Sequence, residues 1–139
     1  MGIMWTVWPL DGDMINWLTS QNIEFPNSAS RFPTGFEIKR VLADPALQVE
    51  TNDNGKGKTF QAFIETKADA KHRWANLMIT EYTGDEDPQK LYFEKGDETL
   101  IWDILRLLTV HSGPLVLIDD AGDPPRVITP DAEIAVTPH

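Results

Sequence analysis

The chain contains no cysteine among its 139 residues. Disulfides, cysteine-bound zinc, iron–sulfur clusters and thiol catalysis are therefore excluded. The sequence also has no run of about 18 apolar residues, the length that a membrane-spanning helix requires. Its first residues lack the basic segment and the long apolar run of a signal peptide. These absences lead us to expect a cytoplasmic protein.

The usual signatures of catalysis, of phosphate binding and of metal binding are missing as well. No serine lies in a G-x-S-x-G turn, and "NGKGK" lacks the spacing of a phosphate-binding loop. The three histidines are far apart in the sequence and form no H-x-x-x-H pair; they are His72, His111 and His139. The sequence therefore predicts no catalytic residue, no cofactor and no metal site, and a protein that is not an enzyme.

Negative charge is abundant, and it is unevenly placed. The formal net charge is −10. Residues 1–80 hold nine acids and eight bases, whereas residues 81–139 hold thirteen acids and four bases. Such a field repels nucleic acid and anionic membranes and attracts basic surfaces. We expect a basic protein partner, and neither nucleic acid nor membrane as a ligand.

Hydrophobic periodicity indicates helices and strands in alternating groups. Period-two and β-branched segments predict strands over 3–8, 47–52, 58–67, 73–82, 90–95, 114–118 and 126–129. Apolar residues at helical spacing predict helices over 12–21, from Thr34 to before Pro45, and over 97–112. Thr34 and Glu37 have the spacing of a capping box.

These elements predict the fold class and the domain organisation. We expect an α+β fold in which an antiparallel sheet of about five to seven strands is covered by one long helix (97–112), with two shorter helices near the N-terminus. Residues 1–139 are predicted to form a single domain, because the sequence contains neither an internal repeat nor a long linker. Residues 131–139 are predicted to form a loosely ordered tail.

Two adjacent aspartates, Asp119 and Asp120, follow the apolar strand in "GPLVLIDDAGDPPRVI". Such a pair can belong to a metal or phosphate site, but these sites need further carboxylates at the ends of parallel strands. The segment that follows is rich in Asp, Gly and Pro, which are turn residues. The sequence therefore predicts turn residues, whose replacement by asparagine leaves folding intact.

The predicted partner-binding surface combines exposed acids with one tryptophan. Trp102 and Asp103 lie off the apolar stripe that runs along the long helix. Trp102 is thus either an exposed anchor beside acids or a cover for the edge of the sheet. The predicted partner-binding residues are Glu86, Asp87, Asp97, Glu98, Trp102 and Asp103.

The stretch "LYFEKGDETLIWDILRLLTVHSGPLVLIDDAGDPPRVI", with "PTGFEIKRVL" upstream, resembles small acidic bacterial proteins of the immunity type, which accompany toxins or secreted effectors. The resemblance covers about a third of the chain. It implies a protein that binds and blocks a cognate toxin, and it carries no catalytic residues. The alternatives are a small enzyme with an unrecognised carboxylate site and a phage or chaperone-like adaptor. The oligomeric state is not predicted.

Overall fold

The computed structural model describes residues 3–67 and 71–131. The fold is α+β, with a seven-stranded antiparallel sheet and three helices. The strands are β1 Met4–Pro9, β2 Leu47–Asp53, β3 Lys58–Thr66, β4 Trp74–Tyr82, β5 Tyr92–Gly96, β6 Leu115–Asp119 and β7 Arg126–Ile128. The helices are α1 Gly12–Ser20, α2 Gly35–Leu42 and α3 Glu98–Ser112.

The prediction of an antiparallel sheet of about five to seven strands in an α+β fold is confirmed. The predicted tail over 131–139 lies outside the described residues, apart from Asp131. The single domain over 1–139 stays a prediction. None of the helices within the described ranges is long and apolar enough to cross a membrane.

The order of the strands is β2-β3-β4-β5-β1-β6-β7, so the N-terminal strand lies inside the sheet. Strand β1 pairs antiparallel with β5 on one side and with β6 on the other. Strands β5 and β6 therefore run in the same direction, and α3 connects them along the chain. This crossover places the beginning of α3 at one end of the sheet and its end at the other.

The two faces of the sheet follow from alternation along β1. Trp5 and Val7 are buried and point to one face, which we call the inner face; Met4, Thr6 and Trp8 point to the opposite, outer face. The inner face belongs to one apolar cluster that also includes residues of α2 and α3. Its largest fully buried members include Phe60, Ile64, Leu77, Ile79, Phe93, Ile38, Leu100, Ile101, Ile104, Leu105 and Leu108.

Local hydrogen bonds fix where the helices α2 and α3 begin. The predicted capping box of α2 is present, because Thr34 accepts from the Glu37 N–H and Glu37 accepts from the Thr34 N–H. At α3, Asp97 occupies the N-cap position, but its carboxylate accepts from the Trp74 N–H of β4 instead. Gly96 precedes it with a φ of 133°, and a Cβ there would lie 2.7 Å from the Ala75 Cα. The turn from β5 into α3 therefore requires glycine.

The outer face is only partly covered. A second apolar cluster joins Leu10 and Leu18 to Val116, with partly buried residues of α1, of the segment after it and of β6 and β7 packed around it. Helix α1 thus packs against the β6–β7 side of the outer face. Over β1, β5 and β4 the same face carries exposed side chains, among them Met4 and Trp8.

Candidate functional site

A groove of about 580 Å³ lies on this uncovered part of the sheet, and we call it the trough. Its volume falls within the range of about 300–1,000 Å³ that is usual for binding pockets. Side chains from β1 form one wall, the end of β4 forms the other, and the segment before β5 forms the floor. The lining residues are Met4, Thr6, Val7, Trp8, Phe32, Thr80, Glu81, Thr83, Pro88, Gln89, Lys90, Leu91 and Tyr92.

The trough exists because β5 is shorter than its neighbours. Strand β5 begins at Tyr92, which pairs with Thr6 of β1 and Met78 of β4. The preceding residue, Leu91, has its side chain in the inner core, and Pro88 forms an isolated bridge with Thr34 at the start of α2. The segment 88–91 therefore leaves the sheet toward the inner side, and a depression remains on the outer side.

Trp8 forms the most prominent part of the β1 wall. Its side chain is 38% exposed, although it is a large apolar group. The indole N–H donates to the Thr6 hydroxyl at 2.9 Å, and the ring lies 6.3 Å from that of Phe32 at an angle of 55°. The indole is thus held in one orientation while one side of it stays open to solvent.

Phe32 is positioned by a segment that is fixed on both sides. Before it, the Leu10 N–H donates to the Ser30 hydroxyl at 2.6 Å, and the Arg31 N–H donates to the Ser112 carbonyl at 3.0 Å. After it, the Pro33 carbonyl accepts from the Gln89 N–H at 2.8 Å. These bonds connect the wall to β1, to the end of α3 and to the floor of the trough.

Gln89 organises the floor and is only 1% exposed. Its side-chain amide donates to the Thr83 hydroxyl and to the carbonyls of Gly84 and Asp87, and it accepts from the Thr83 N–H. A buried amide with all these partners satisfied makes a rigid loop. The loop 83–89 is therefore preorganised at the edge of the trough.

This loop carries the acidic residues Asp85, Glu86 and Asp87, and we call these three residues the acidic loop. Asp85 is paired with Lys39 at 2.9 Å and also contacts the Tyr82 hydroxyl. The hydrogen bond from Lys39 lowers the pKa of Asp85, and burial raises the pKa of Tyr82. Glu86 and Asp87 are exposed and form no ion pair with any residue that the structure describes.

The lining of the trough itself carries one acid and one base. Glu81 follows the exposed side of β4, and Lys90 lies on the floor. Together with Glu86 and Asp87, the trough and its edge present three carboxylates that form no ion pair with the described residues, against one ammonium group. The local field is therefore negative.

The structure divides the six predicted partner-binding residues between two places. Glu86 and Asp87 precede β5 and lie beside the trough, whereas Asp97, Glu98 and Asp103 follow β5 at the opposite end of the sheet. The five residues of β5 separate the two groups by about 15 Å at the usual rise per residue. The predicted set is therefore not one continuous surface.

The acids that follow β5 are half-buried and hydrogen-bonded. Glu98 pairs with Arg126 at 2.9 Å, and Asp103 pairs with Arg73 at 3.0 Å and with Arg106. Asp97 accepts from the Trp74 N–H at 3.0 Å. These carboxylates are directed into the protein rather than toward solvent.

Trp102 is not an exposed anchor, and this part of the prediction is wrong. The residue is 3% exposed and belongs to the inner apolar cluster. Helix α3 contacts α2 as well as strands β4 to β7, so its buried arc is wider than the stripe that the sequence indicates. The indole N–H of Trp102 is buried and has no hydrogen-bond partner within the described part of the chain.

Asp120 lies in the turn after β6, as predicted, and is exposed, whereas Asp119 is the last residue of β6, pairs with Trp5 and is buried, so the prediction of a turn residue is wrong there. The Asp119 carboxylate accepts from the N–H groups of Ala121 and Asp123 and binds the Arg126 guanidinium at 3.1 Å. Burial of the Asp119 carboxyl raises its pKa, but these hydrogen bonds outweigh burial and hold the pKa below its usual range. The expectation that asparagine is harmless at both positions is therefore not supported at Asp119.

Arg126 connects several elements at the end of the sheet where α3 begins. Its guanidinium contacts three carboxylates, those of Glu98, Asp119 and Asp123, and its side chain is 8% exposed. A buried cation with several carboxylate partners connects β7, α3 and the turn after β6. Within residues 3–67 and 71–131, no group of three or more acidic or histidine side chains has an arrangement that could hold a metal ion.

The trough residues Trp8, Phe32 and Tyr92 were not among the predicted site residues. One signal for them is present in the first strand, IMWTVW, where both alternating faces carry large apolar side chains. A strand whose second face is simply solvated carries polar residues there. Met4 and Trp8 therefore distinguish the outer face of β1 from a purely solvated face.

Compared with models of protein families, with curated proteins and with solved structures, the chain matches none of them.

Proposed function

We propose that this chain is a protein-binding domain and that the trough, together with the acidic loop, is its contact surface. The observation that carries the proposal is the position of Trp8: a large, oriented and partly exposed aromatic side chain beside carboxylates that form no ion pair with the described residues. Tryptophan is strongly enriched among the residues that dominate binding energy at protein interfaces.

The two components of the surface contribute to binding in different ways. Trp8 and Phe32 offer apolar area that a partner desolvates, which slows dissociation. Glu81, Glu86 and Asp87 produce a negative field that attracts a basic partner and speeds association. A partner with a basic and partly apolar surface fits both components.

The proposal includes a finer description of the fold. We take α3, with α2 beside it, to be the layer that covers the inner face. The outer face over β1, β5 and β4, which holds the trough, then has no helix of this chain against it among the described residues. A partner on that face completes the layered arrangement that sheets require.

The kind of partner that we propose is a bacterial toxin or effector with a basic active site. An immunity-type protein acts in the cytoplasm by occluding such a site, and its acidic surface replaces the substrate or nucleic acid that the toxin binds. This role needs no catalytic residues, no cofactor and no metal. The resemblance of residues 91–128, with residues 33–42 upstream, to immunity-type proteins supports the same role.

A capture experiment with matched baits tests the proposal. The wild-type chain and its Trp8→Ala and Trp17→Ala variants are used to capture proteins from the native cell, with quantification by mass spectrometry. Trp17 is 39% exposed and lies on α1 outside the trough, so it is a control of the same residue type and exposure. We expect a basic protein that the wild type and Trp17→Ala retain and that Trp8→Ala loses.

The immunity role has its own test. If the captured protein arrests growth when it is expressed alone, co-expression of the wild-type chain should restore growth and co-expression of Trp8→Ala should not. A captured protein without toxicity would favour an adaptor role instead. Equal capture by all three baits would show that the trough is not the contact surface.

A further inference from the structure

The acidic loop projects from the end of the sheet, because hydrogen bonds close it at its base. The buried Gln89 amide accepts from the Thr83 N–H and donates to the Thr83 hydroxyl. Between these two residues, positions 85–88 are all exposed. The loop is therefore a short and compact projection, and it presents the carboxylates of Glu86 and Asp87 to the solvent.

Helix α2 holds the loop from a second side. The N–H groups of Gly35 and Phe36, which begin the helix, donate to the carbonyls of Asp87 and Asp85 at 3.1 and 2.8 Å. One turn later, the Lys39 ammonium group binds the Asp85 carboxylate at 2.9 Å. None of the residues of α2, all of which the structure describes, lines the trough. The loop is thus fixed at the helix N-terminus, where the helix dipole favours negative charge.

Phe36 lies beside the loop on this second side. Phe36 and Lys39 are three residues apart, so they lie on the same face of α2 with their Cβ atoms about 5–6 Å apart. That face is turned toward the loop, because Lys39 reaches Asp85. Phe36 is 61% exposed there. An exposed phenyl ring therefore lies on one side of the acidic loop, and the trough with Trp8 lies on the other.

These three parts are close enough to belong to one contact surface. Phe32 and Phe36 are four residues apart, so their Cα atoms are separated by at most about 14 Å. The Phe32 ring lies 6.3 Å from that of Trp8. An interface of the usual size, about 800 Å² on each partner, is wide enough to cover the trough, the loop and Phe36 together.

The charge of the three parts defines the shape and chemistry of the partner. Glu86 and Asp87 form no ion pair with the described residues, so basic groups of the partner belong opposite the loop. Trp8 and Phe36 offer apolar surface on the two sides. Arg40 is exposed one turn after Phe36, which disfavours further basic groups opposite that ring. A surface that matches all of this is a cleft with a basic floor and apolar rims.

We infer that the acidic loop enters a basic cleft of the partner protein, and that Phe36 contacts one rim of that cleft while Trp8 and Phe32 contact the other. This inference rests on the proposed function and specifies which element is inserted and where a second aromatic anchor lies. A loop that is already rigid loses little conformational entropy on binding, and this preorganisation favours affinity.

Affinity gives the first test, and the probe is the protein that the wild-type chain captures and Trp8→Ala loses. Phe36→Ala should weaken its binding at least about tenfold, mainly through faster dissociation. The substitution keeps the backbone hydrogen bond from residue 36 to Asp85, so the loop stays in place. Trp17→Ala removes an exposed aromatic ring on α1 and should leave the affinity unchanged. Melting temperatures establish that all three variants are folded.

Photo-cross-linking in the native cell gives the second test and locates the two rims. Benzoylphenylalanine, which forms a covalent bond with neighbouring groups on irradiation, replaces Phe36 in one variant and Thr80, exposed on the trough wall, in another. A third variant carries it at Trp17 as a control. We expect positions 36 and 80 to cross-link the same protein at two different segments, and position 17 not to cross-link it. Cross-links from position 80 without any from position 36 would overturn the inference, as would cross-links from both to a single segment.

The outcome for the inference is separate from the outcome for the proposed function. A protein that Trp8→Ala loses, but that Phe36→Ala binds as tightly as the wild type does, keeps the trough as the contact surface and overturns the second anchor. Equal capture by the wild type and Trp8→Ala, or the absence of any captured protein, overturns the proposed function and the inference with it.

Discussion

Acidic side chains at the two ends of the sheet have different surroundings. Where α3 begins, Glu98, Asp103 and Asp119 are paired with arginines and are at least half-buried. Beside the trough, Glu86 and Asp87 are exposed and form no ion pair with the described residues. We refer to these regions as the arginine end and the trough end.

The position of the cations accounts for this difference. Residues 81–139 contain thirteen acids but only four bases, and two of these bases, Arg106 and Arg126, lie at the arginine end. Carboxylates at the arginine end form ion pairs that stabilise the fold. Carboxylates at the trough end are exposed, so their charge produces a negative field in the surrounding solvent. An excess of charge along the sequence is therefore not by itself a binding surface, because pairing removes part of it.

Removal of Arg126 should have the largest effect on stability. Arg126→Met leaves Glu98 and Asp119 without their cation in a buried site, and breaking such a pair costs about 3–5 kcal/mol. Urea unfolding measures the loss. A cost below about 1 kcal/mol would show that the arginine end does not depend on its ion pairs.

Asp119 and Asp120 are adjacent, so their variants compare a carboxylate that is paired with an arginine with one that is exposed. Asp119→Asn keeps an acceptor for the turn N–H groups but loses the charged bond to Arg126, and it should cost about 1–3 kcal/mol. Asp120→Asn, on the exposed side, should change stability by less than about 0.5 kcal/mol.

The pH dependence of the Asp119 variant follows from its lowered pKa. The ionised carboxyl contributes stability above the usual aspartate pKa, and that contribution disappears as the pH falls through the lower pKa of the folded state. The difference in the free energy of unfolding between wild type and Asp119→Asn should therefore shrink below about pH 4. A difference that grows on acidification would contradict the pairing.

Replacement of Glu37, which lies near the trough end, should have a smaller effect on stability. The hydrogen bond from the Arg31 side chain, with those from Thr34, lowers the pKa of Glu37 from 4.5 to about 2, despite partial burial. Arg31 is half-exposed, so solvent screens the pair, and Glu37→Gln should cost about 1 kcal/mol at neutral pH. Because the pKa of Glu37 is lowered in the folded state, the full loss of stability should be measured above about pH 5, and the loss should disappear toward pH 2. Thermal unfolding against pH gives the measurement.

Much of the secondary structure is predictable because its signals are local. The capping box at Thr34, the glycine and proline after Ser112 and the hairpin residues between β2 and β3 all act over a few positions. The order of the strands depends on pairing between distant segments. Nothing local to β1 indicates that it lies between β5 and β6, and the early end of β5, which creates the trough, depends on that order.

The burial of Trp102 illustrates the same limit. Its position on α3 lies beside the apolar stripe, so the helix pattern alone leaves it at the boundary between core and surface. The packing of α3 against the rest of the folded chain decides the matter, and the elements that it contacts include α2, more than fifty residues earlier in the sequence. The pairing of the acids with Arg73 and Arg126 is likewise a property of the folded chain.

The association rate of the captured partner, measured against salt, tests the role of the trough end most directly. Glu86→Gln with Asp87→Asn should lower the rate severalfold at about 0.05 M salt and flatten its dependence on salt, with little change in the dissociation rate. The control, Asp13→Asn with Glu50→Gln, removes the same number of exposed charges outside the trough. We predict that the control changes the association rate much less. An equal reduction by both double variants would show that only the net charge matters, and it would contradict the assignment of binding to the trough end.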